Sequence, residues 1–188
     1  MSATALRLEV AHSVLYVHDV DRMIEFYSAV LGFEVTDRGP LGGGGQEIVF
    51  LSQIHNHHHQ LAFVTGRDEP SPSNNTHHTA YRSSGTLDDL KALLGRLQSD
   101  PEVTAIRPLT HGNAWSIYFQ DPERNGVEIF IDTPWHVRQP QGKPLDLSKS
   151  NDEIVAATRE AFADEPEFGP IDAFYQARAE HLTERAEG

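Results

Sequence analysis

One arrangement of elements occurs twice along this chain, and no other feature limits its fold as strongly. In the first half, His12 heads an apolar strand, Ser13-Val14-Leu15-Tyr16-Val17. Asp19 can cap the helix that follows, in which Met23, Phe26, Tyr27, Val30 and Leu31 recur at helical spacing. Gly32 closes that helix. Three strands come next, at residues 33–35, 48–51 and 60–64, with a glycine-rich turn at 39–45.

A polar stretch at 67–76 separates the halves, and then the order returns. His77-His78-Thr79-Ala80-Tyr81 reads as a strand, Thr86 caps a helix carrying Leu87, Leu90, Leu93, Leu94 and Leu97, and strands follow at 103–106, 116–119 and 127–130. The expected fold is α+β, with two βαβββ modules at about 8–66 and 76–132 forming one curved mixed sheet. Together they make a single domain over 1–135. Residues 136–188 differ in character. Ser150-Asn151-Asp152-Glu153 is a capping box for a helix over 151–163, and a polar helix runs from Ile171 towards Arg185. This helical extension is expected to cover the domain or a neighbouring subunit.

Composition narrows the function. There is no cysteine, so disulfides, thiolate metal sites and cysteine nucleophiles are excluded, and any metal must take nitrogen and oxygen ligands. A formal net charge of −13 opposes phosphate binding, so no nucleic-acid partner is expected. There is no apolar run long enough for a membrane span, and the N-terminus lacks a secretory layout, which makes the cytoplasm the expected compartment. The chain carries 11 histidines beside 15 Lys and Arg. Histidine is the commonest metal ligand and the usual acid–base group near neutral pH.

His12 and His77 head the matching strands of the two halves, and pseudo-symmetry would bring them together. Glu128 stands in the strand Gly126-Val127-Glu128-Ile129-Phe130, where a carboxylate between apolar neighbours is costly unless paired or bound to a metal. Its counterpart in the first half falls near Leu61, which predicts one metal site per chain. Two histidines and one carboxylate suit a facial triad on Fe(II), with positions left open for a bidentate substrate and dioxygen. Mn(II) could fill the same ligands.

The stretch from Thr110 to Glu128 resembles the signature of the type I extradiol dioxygenases, a branch of the vicinal oxygen chelate superfamily: His111, Tyr118, Asp121-Pro122 and Glu128 stand at its spacing. Arg124 departs from the Gly or Pro common in its turn. His77-His78 resembles the His-His opening of the family's second module, which implies that the first of the pair, His77, is the ligand beside His12 and Glu128. His58-His59 resembles the segment that carries the acid–base histidine. The resemblance covers about residues 8–135.

It implies a catechol and dioxygen as substrates, Fe(II) as cofactor and a homo-oligomer. His59 would exchange protons with the substrate, while His111 and Tyr118 would hold the catecholate oxygen. His58 and Trp115 are expected as substrate contacts. His55 and His57 read as a solvated loop, and His18, His136 and His181 as surface. Two other functions are open to the same superfamily: a glyoxalase-like lyase or epimerase, and a non-catalytic resistance protein. The first usually draws a carboxylate from each module, and the second typically lacks the triad.

Overall fold

The computed structural model describes residues 8–72 and 75–187. The first seven residues, part of the N-terminus read above, lie outside the described residues, as do Ser73 and Asn74 of the polar stretch. The first module comprises β1 (Ser13–Val17), α1 (Val20–Ala29), β2 (Glu34–Leu41), β3 (Gln46–Ser52) and β4 (Leu61–Thr65). The second repeats the order with β5 (Thr79–Arg82), α2 (Leu87–Ser99), β6 (Thr104–Thr110), β7 (Ala114–Gln120) and β8 (Gly126–Asp132).

Each module builds its own mixed sheet, in the orders β1-β4-β3-β2 and β5-β8-β7-β6. In both, the opening strand runs parallel to the closing one, with Ser13 opposite Leu61 and Thr79 opposite Val127. The single sheet expected from the repeat is therefore two sheets. β1 and β5 are outer strands and share no ladder among the described residues. A common core joins the modules instead. Phe26 of α1 meets Phe119 of β7 edge-on at 6.1 Å, and Phe33 meets Tyr81 at 5.5 Å. Phe26, Phe33 and Phe119 are buried, and burying such a side chain contributes about 1.5–3 kcal/mol.

Local chemistry explains the element ends. Asp19 accepts the Arg22 N–H at 3.0 Å and starts α1, and Gly32 turns the chain at φ +82° after it. Val20, Met23, Phe26 and Tyr27 bury one face of that helix, and Leu87, Leu90, Leu93 and Leu97 bury one face of α2. β2 is longer than its sequence suggests, running through Gly39, Pro40 and Leu41, and the turn shortens to residues 42–45. β3 supplies the ladder, and Pro40 is tolerated because β2 is an edge strand.

A second tie between modules is polar. Glu123, in the turn between β7 and β8, is 2% exposed and accepts the backbone N–H groups of His18 and Asp19, each at 2.8 Å. Tyr27 donates to Asp121 in the same turn at 3.1 Å.

The chain beyond β8 adds β9 (Trp135–His136), β10 (Lys143–Pro144), α3 (Asn151–Phe162), β11 (Gly169–Pro170) and α4 (Ile171–Glu187). β10 pairs with β6, and Ile154 and Phe162 of α3 are buried. α4 leaves Phe174, Tyr175 and Leu182 exposed. Among the described residues no helix is long and apolar enough to cross a membrane.

Candidate metal centre

Strand register sorts the second sheet into two faces. Ala80, Glu128, Tyr118 and Arg107 are mutual partners across β5, β8, β7 and β6, so their side chains share one face. Trp115, Ile117, Phe119 and Val127 point the other way, into the core. The first face is therefore where polar chemistry gathers.

At its centre is Glu128, 7% exposed. Its Oε2 lies 3.1 Å from His78 Nε2, and its Oε1 lies 3.9 Å from His111 Nε2. The Tyr118 hydroxyl is 3.0 Å from His111 Nε2. Burial, reinforced by the hydrogen bond and charge of Glu128, raises the phenol's pKa, while Arg107 pulls it down. The Arg107 guanidinium sits 5.7 Å from the Tyr118 ring centre. The sequence reading did not include Arg107, although alternation from Tyr118 across the β6–β7 ladder places it there.

The first module contributes a cluster of its own. His12 and His59 have ring centres 4.2 Å apart, and His59 rests on Phe50 at 4.8 Å. His58 Nδ1 is 2.9 Å from His59 Nδ1, and its Nε2 is 3.4 Å from Asp37. Burial first, then the neighbouring His12 and His58, lower the pKa of His59. These surroundings favour the neutral ring, the form that can accept a proton.

Three sequence expectations meet a different geometry. His77 is exposed and touches His78 through Nδ1 at 2.6 Å, whereas His78 is the ring that reaches Glu128. The reason is where the strands begin. β1 starts at Ser13 and β5 at Thr79, so the residue equivalent to His12 is His78. The same register makes Ala62, not Leu61, the counterpart of Glu128, since Val14 faces Ala62 as Ala80 faces Glu128. Trp115 is 5% exposed and donates from Nε1 to Thr158 at 2.8 Å, on the core face and away from Glu128. The alternation of Trp115, Ile117 and Phe119 carried that signal.

The imidazole and carboxylate donors fit a divalent cation in kind, and a buried carboxylate facing two imidazoles is an arrangement a cation would satisfy. His12 stays with His59, and among the described residues no three His, Asp or Glu side chains converge as a complete metal-binding group.

Comparison with known proteins adds the following. Residues 9–129 match the model of the Glyoxalase/Bleomycin resistance protein/Dioxygenase superfamily. The chain is 33% identical over 132 residues to biphenyl-2,3-diol 1,2-dioxygenase 2 of Rhodococcus globerulus, covering 65% of this chain and 62% of that protein. It is 32% identical over 126 residues to biphenyl-2,3-diol 1,2-dioxygenase 3 of the same organism, again over 65% of this chain and 62% of the relative. The chain thus spans less than two thirds of the length of these relatives. Among solved structures, the trypanothione-dependent glyoxalase I of Leishmania major superposes with a TM-score of 0.54 at 19% identity, over 66% of this chain and 87% of that one. A glyoxalase/bleomycin resistance protein/dioxygenase domain from Frankia gives 0.53 at 17% identity, over 68% and 100%. Both likenesses concern the fold.

Proposed function

Because the chain belongs to the glyoxalase/bleomycin resistance protein/dioxygenase superfamily, we propose that it is a non-haem Fe(II) extradiol dioxygenase opening the ring of a catechol with dioxygen. The observation that carries this reading is the buried Glu128 with His78, His111 and Tyr118 about it on one face of the second sheet. The relatives named for biphenyl-2,3-diol cleavage support a vicinal aromatic diol as the substrate class.

In this reading His12, His78 and Glu128 hold the metal, with Mn(II) as the alternative ion. His78 takes the place that sequence gave to His77, on the strength of its approach to Glu128. When bound, the iron supplies the redox link between the catechol ring and dioxygen. The chain's own residues do the rest. His59, its pKa lowered, takes a proton from a catechol hydroxyl. The Tyr118 hydroxyl, its pKa raised, stays protonated near neutral pH and can donate a hydrogen bond to a substrate oxygen. His111 steadies that hydroxyl from 3.0 Å. The aromatic wall at Phe50 keeps water from one side of His59. Ala62 at the position matching Glu128 leaves the first module without the second carboxylate of a glyoxalase-like site. The exposed Phe174, Tyr175 and Leu182 of α4 support a homo-oligomer.

The test is to load the purified protein with Fe(II) without oxygen and admit air over a panel of catechols that includes biphenyl-2,3-diol. A yellow ring-opened product, absent in Glu128→Ala, is expected. No colour from any catechol despite bound metal would move the assignment to a lyase or epimerase.

A further inference from the structure

The extension that follows β8 lies beyond the family match at 9–129, yet it reaches the candidate site. Its point of contact is the turn between β6 and β7, which carries His111. Gly112 in that turn has φ +80°, and a Cβ there would sit 2.4 Å from Val137 Cγ1 and 3.2 Å from the Phe162 ring. Both of those side chains are fully buried. Only a glycine admits so close an approach at that backbone angle. The extension is therefore packed directly on the histidine's turn.

One residue of the extension ties the contact together. The Gln139 side-chain amide donates from Nε2 to the His111 carbonyl at 2.8 Å and to Asn113 Oδ1 at 3.2 Å. Its Oε1 accepts the Gln141 N–H at 3.0 Å. The Gln141 carbonyl, so placed, meets His111 Nδ1 at hydrogen-bond distance. A carbonyl can only accept, so Nδ1 must carry the proton in this contact. In the neutral ring Nε2 is then left with its lone pair, and it is Nε2 that stands 3.0 Å from the Tyr118 hydroxyl.

We infer that residues 139–141 are a positioning element of the site: Gln139 holds the Gln141 carbonyl against His111 Nδ1, fixing the tautomer and orientation in which the unprotonated Nε2 faces the Tyr118 hydroxyl. The importance of this for turnover rests on the dioxygenase reading, but the tautomer itself does not. Gln139 acts through His111 and touches no substrate.

The experiment is nitrogen-15 NMR of the histidine side chains in the full chain, metal-free, at a mildly alkaline pH where ordinary histidines are neutral. The His111 signals are assigned by their loss in His111→Asn. Wild type is expected to show a protonated Nδ1 and an unprotonated Nε2. Gln139→Glu, nearly isosteric, keeps the acceptor for the Gln141 N–H but removes both amide donors, and it is expected to show a mixture of tautomers. Gln139→Ala should show the same, and Gln139→Glu decides if Gln139→Ala does not fold. A wild-type His111 protonated mainly on Nε2, or a Gln139→Glu spectrum identical to wild type, overturns the inference. If the wild type cleaves a catechol, Gln139→Glu should lower kcat roughly tenfold with unchanged metal content and little change in KM. A tautomer shift in a protein that cleaves no catechol would uphold the positioning role and refute the dioxygenase. Cleavage by wild type with no tautomer shift in the variant would do the reverse.

Discussion

His78, immediately before β5, reaches Glu128 on the neighbouring β8, Nε2 to Oε2 at 3.1 Å, while the adjacent His77 is exposed. Both histidines precede β5, His77 in a bend and His78 next to the strand's first residue, and the ring of His78 is the one that reaches Glu128. His78→Ala is expected to weaken Mn(II) or Fe(II) binding by at least about tenfold, with His77→Ala close to wild type. Isothermal titration with Mn(II) measures both. Equal losses in the two variants would remove the distinction.

Glu123 is expected to matter for stability far more than its surface-turn position suggests. It is 2% exposed, takes the His18 and Asp19 N–H groups at 2.8 Å and faces Arg67 at 3.4 Å. Glu123→Ala leaves the two backbone N–H groups without their acceptor, while Arg67 keeps Asn125 at 2.9 Å. Leaving such donors without an acceptor costs about 1–3 kcal/mol. Urea unfolding should show a lower midpoint, and a change within about 0.5 kcal/mol would rule out Glu123 as a stabilising tie between the modules.

Gly126 packs against the chain that carries the histidine pair. A Cβ there would lie 2.2 Å from the His77 carbonyl oxygen and 3.2 Å from His78 Cα. Gly126→Ala should therefore push the His77–His78 backbone away from β8. Overpacking of this kind typically costs about 1–3 kcal/mol. The expected signature is a lower melting temperature together with weaker metal binding. Weaker stability with intact metal binding would mean that the segment moves without carrying His78 off Glu128.

Acid should loosen the two capped helices. Glu153 and Asp89 are held below their ordinary carboxylate values by hydrogen bonds from Ser150 and Thr86. A lowered folded pKa contributes stability that is present above the unfolded value and lost as pH falls through the folded one. Stability should thus decline below about pH 4. Glu153→Gln keeps an acceptor for Ser150 but removes one titration. It should melt below wild type at pH 7, and the gap should close on acidification. A gap that stays constant down to the acid transition would show that Glu153 contributes no pH-dependent stability.

The repeat and both amphipathic helices were legible in sequence because periodicity reports burial directly, as with Leu87, Leu90, Leu93 and Leu97. What was lost depends on register. That His78 rather than His77 meets Glu128 follows from β5 starting at Thr79, and a strand's first residue leaves no trace in composition. Trp115 was legible through alternation with Ile117 and Phe119, but its aromatic character suggested a pocket wall. β2 exceeded its apolar core because β3 extends the ladder through Gly39 and Pro40, a long-range effect. The Gln141 carbonyl on His111 was out of reach altogether, since a backbone acceptor 30 residues away carries no side-chain signal.

The central claim is ring cleavage at Glu128, and dioxygen uptake by the Fe(II)-loaded protein with biphenyl-2,3-diol tests it most directly. Dioxygen should disappear in step with catechol, mole for mole, as yellow product forms, and Glu128→Ala should take up none above the metal-only background. Uptake without ring-opened product, or uptake undiminished in Glu128→Ala, would contradict it.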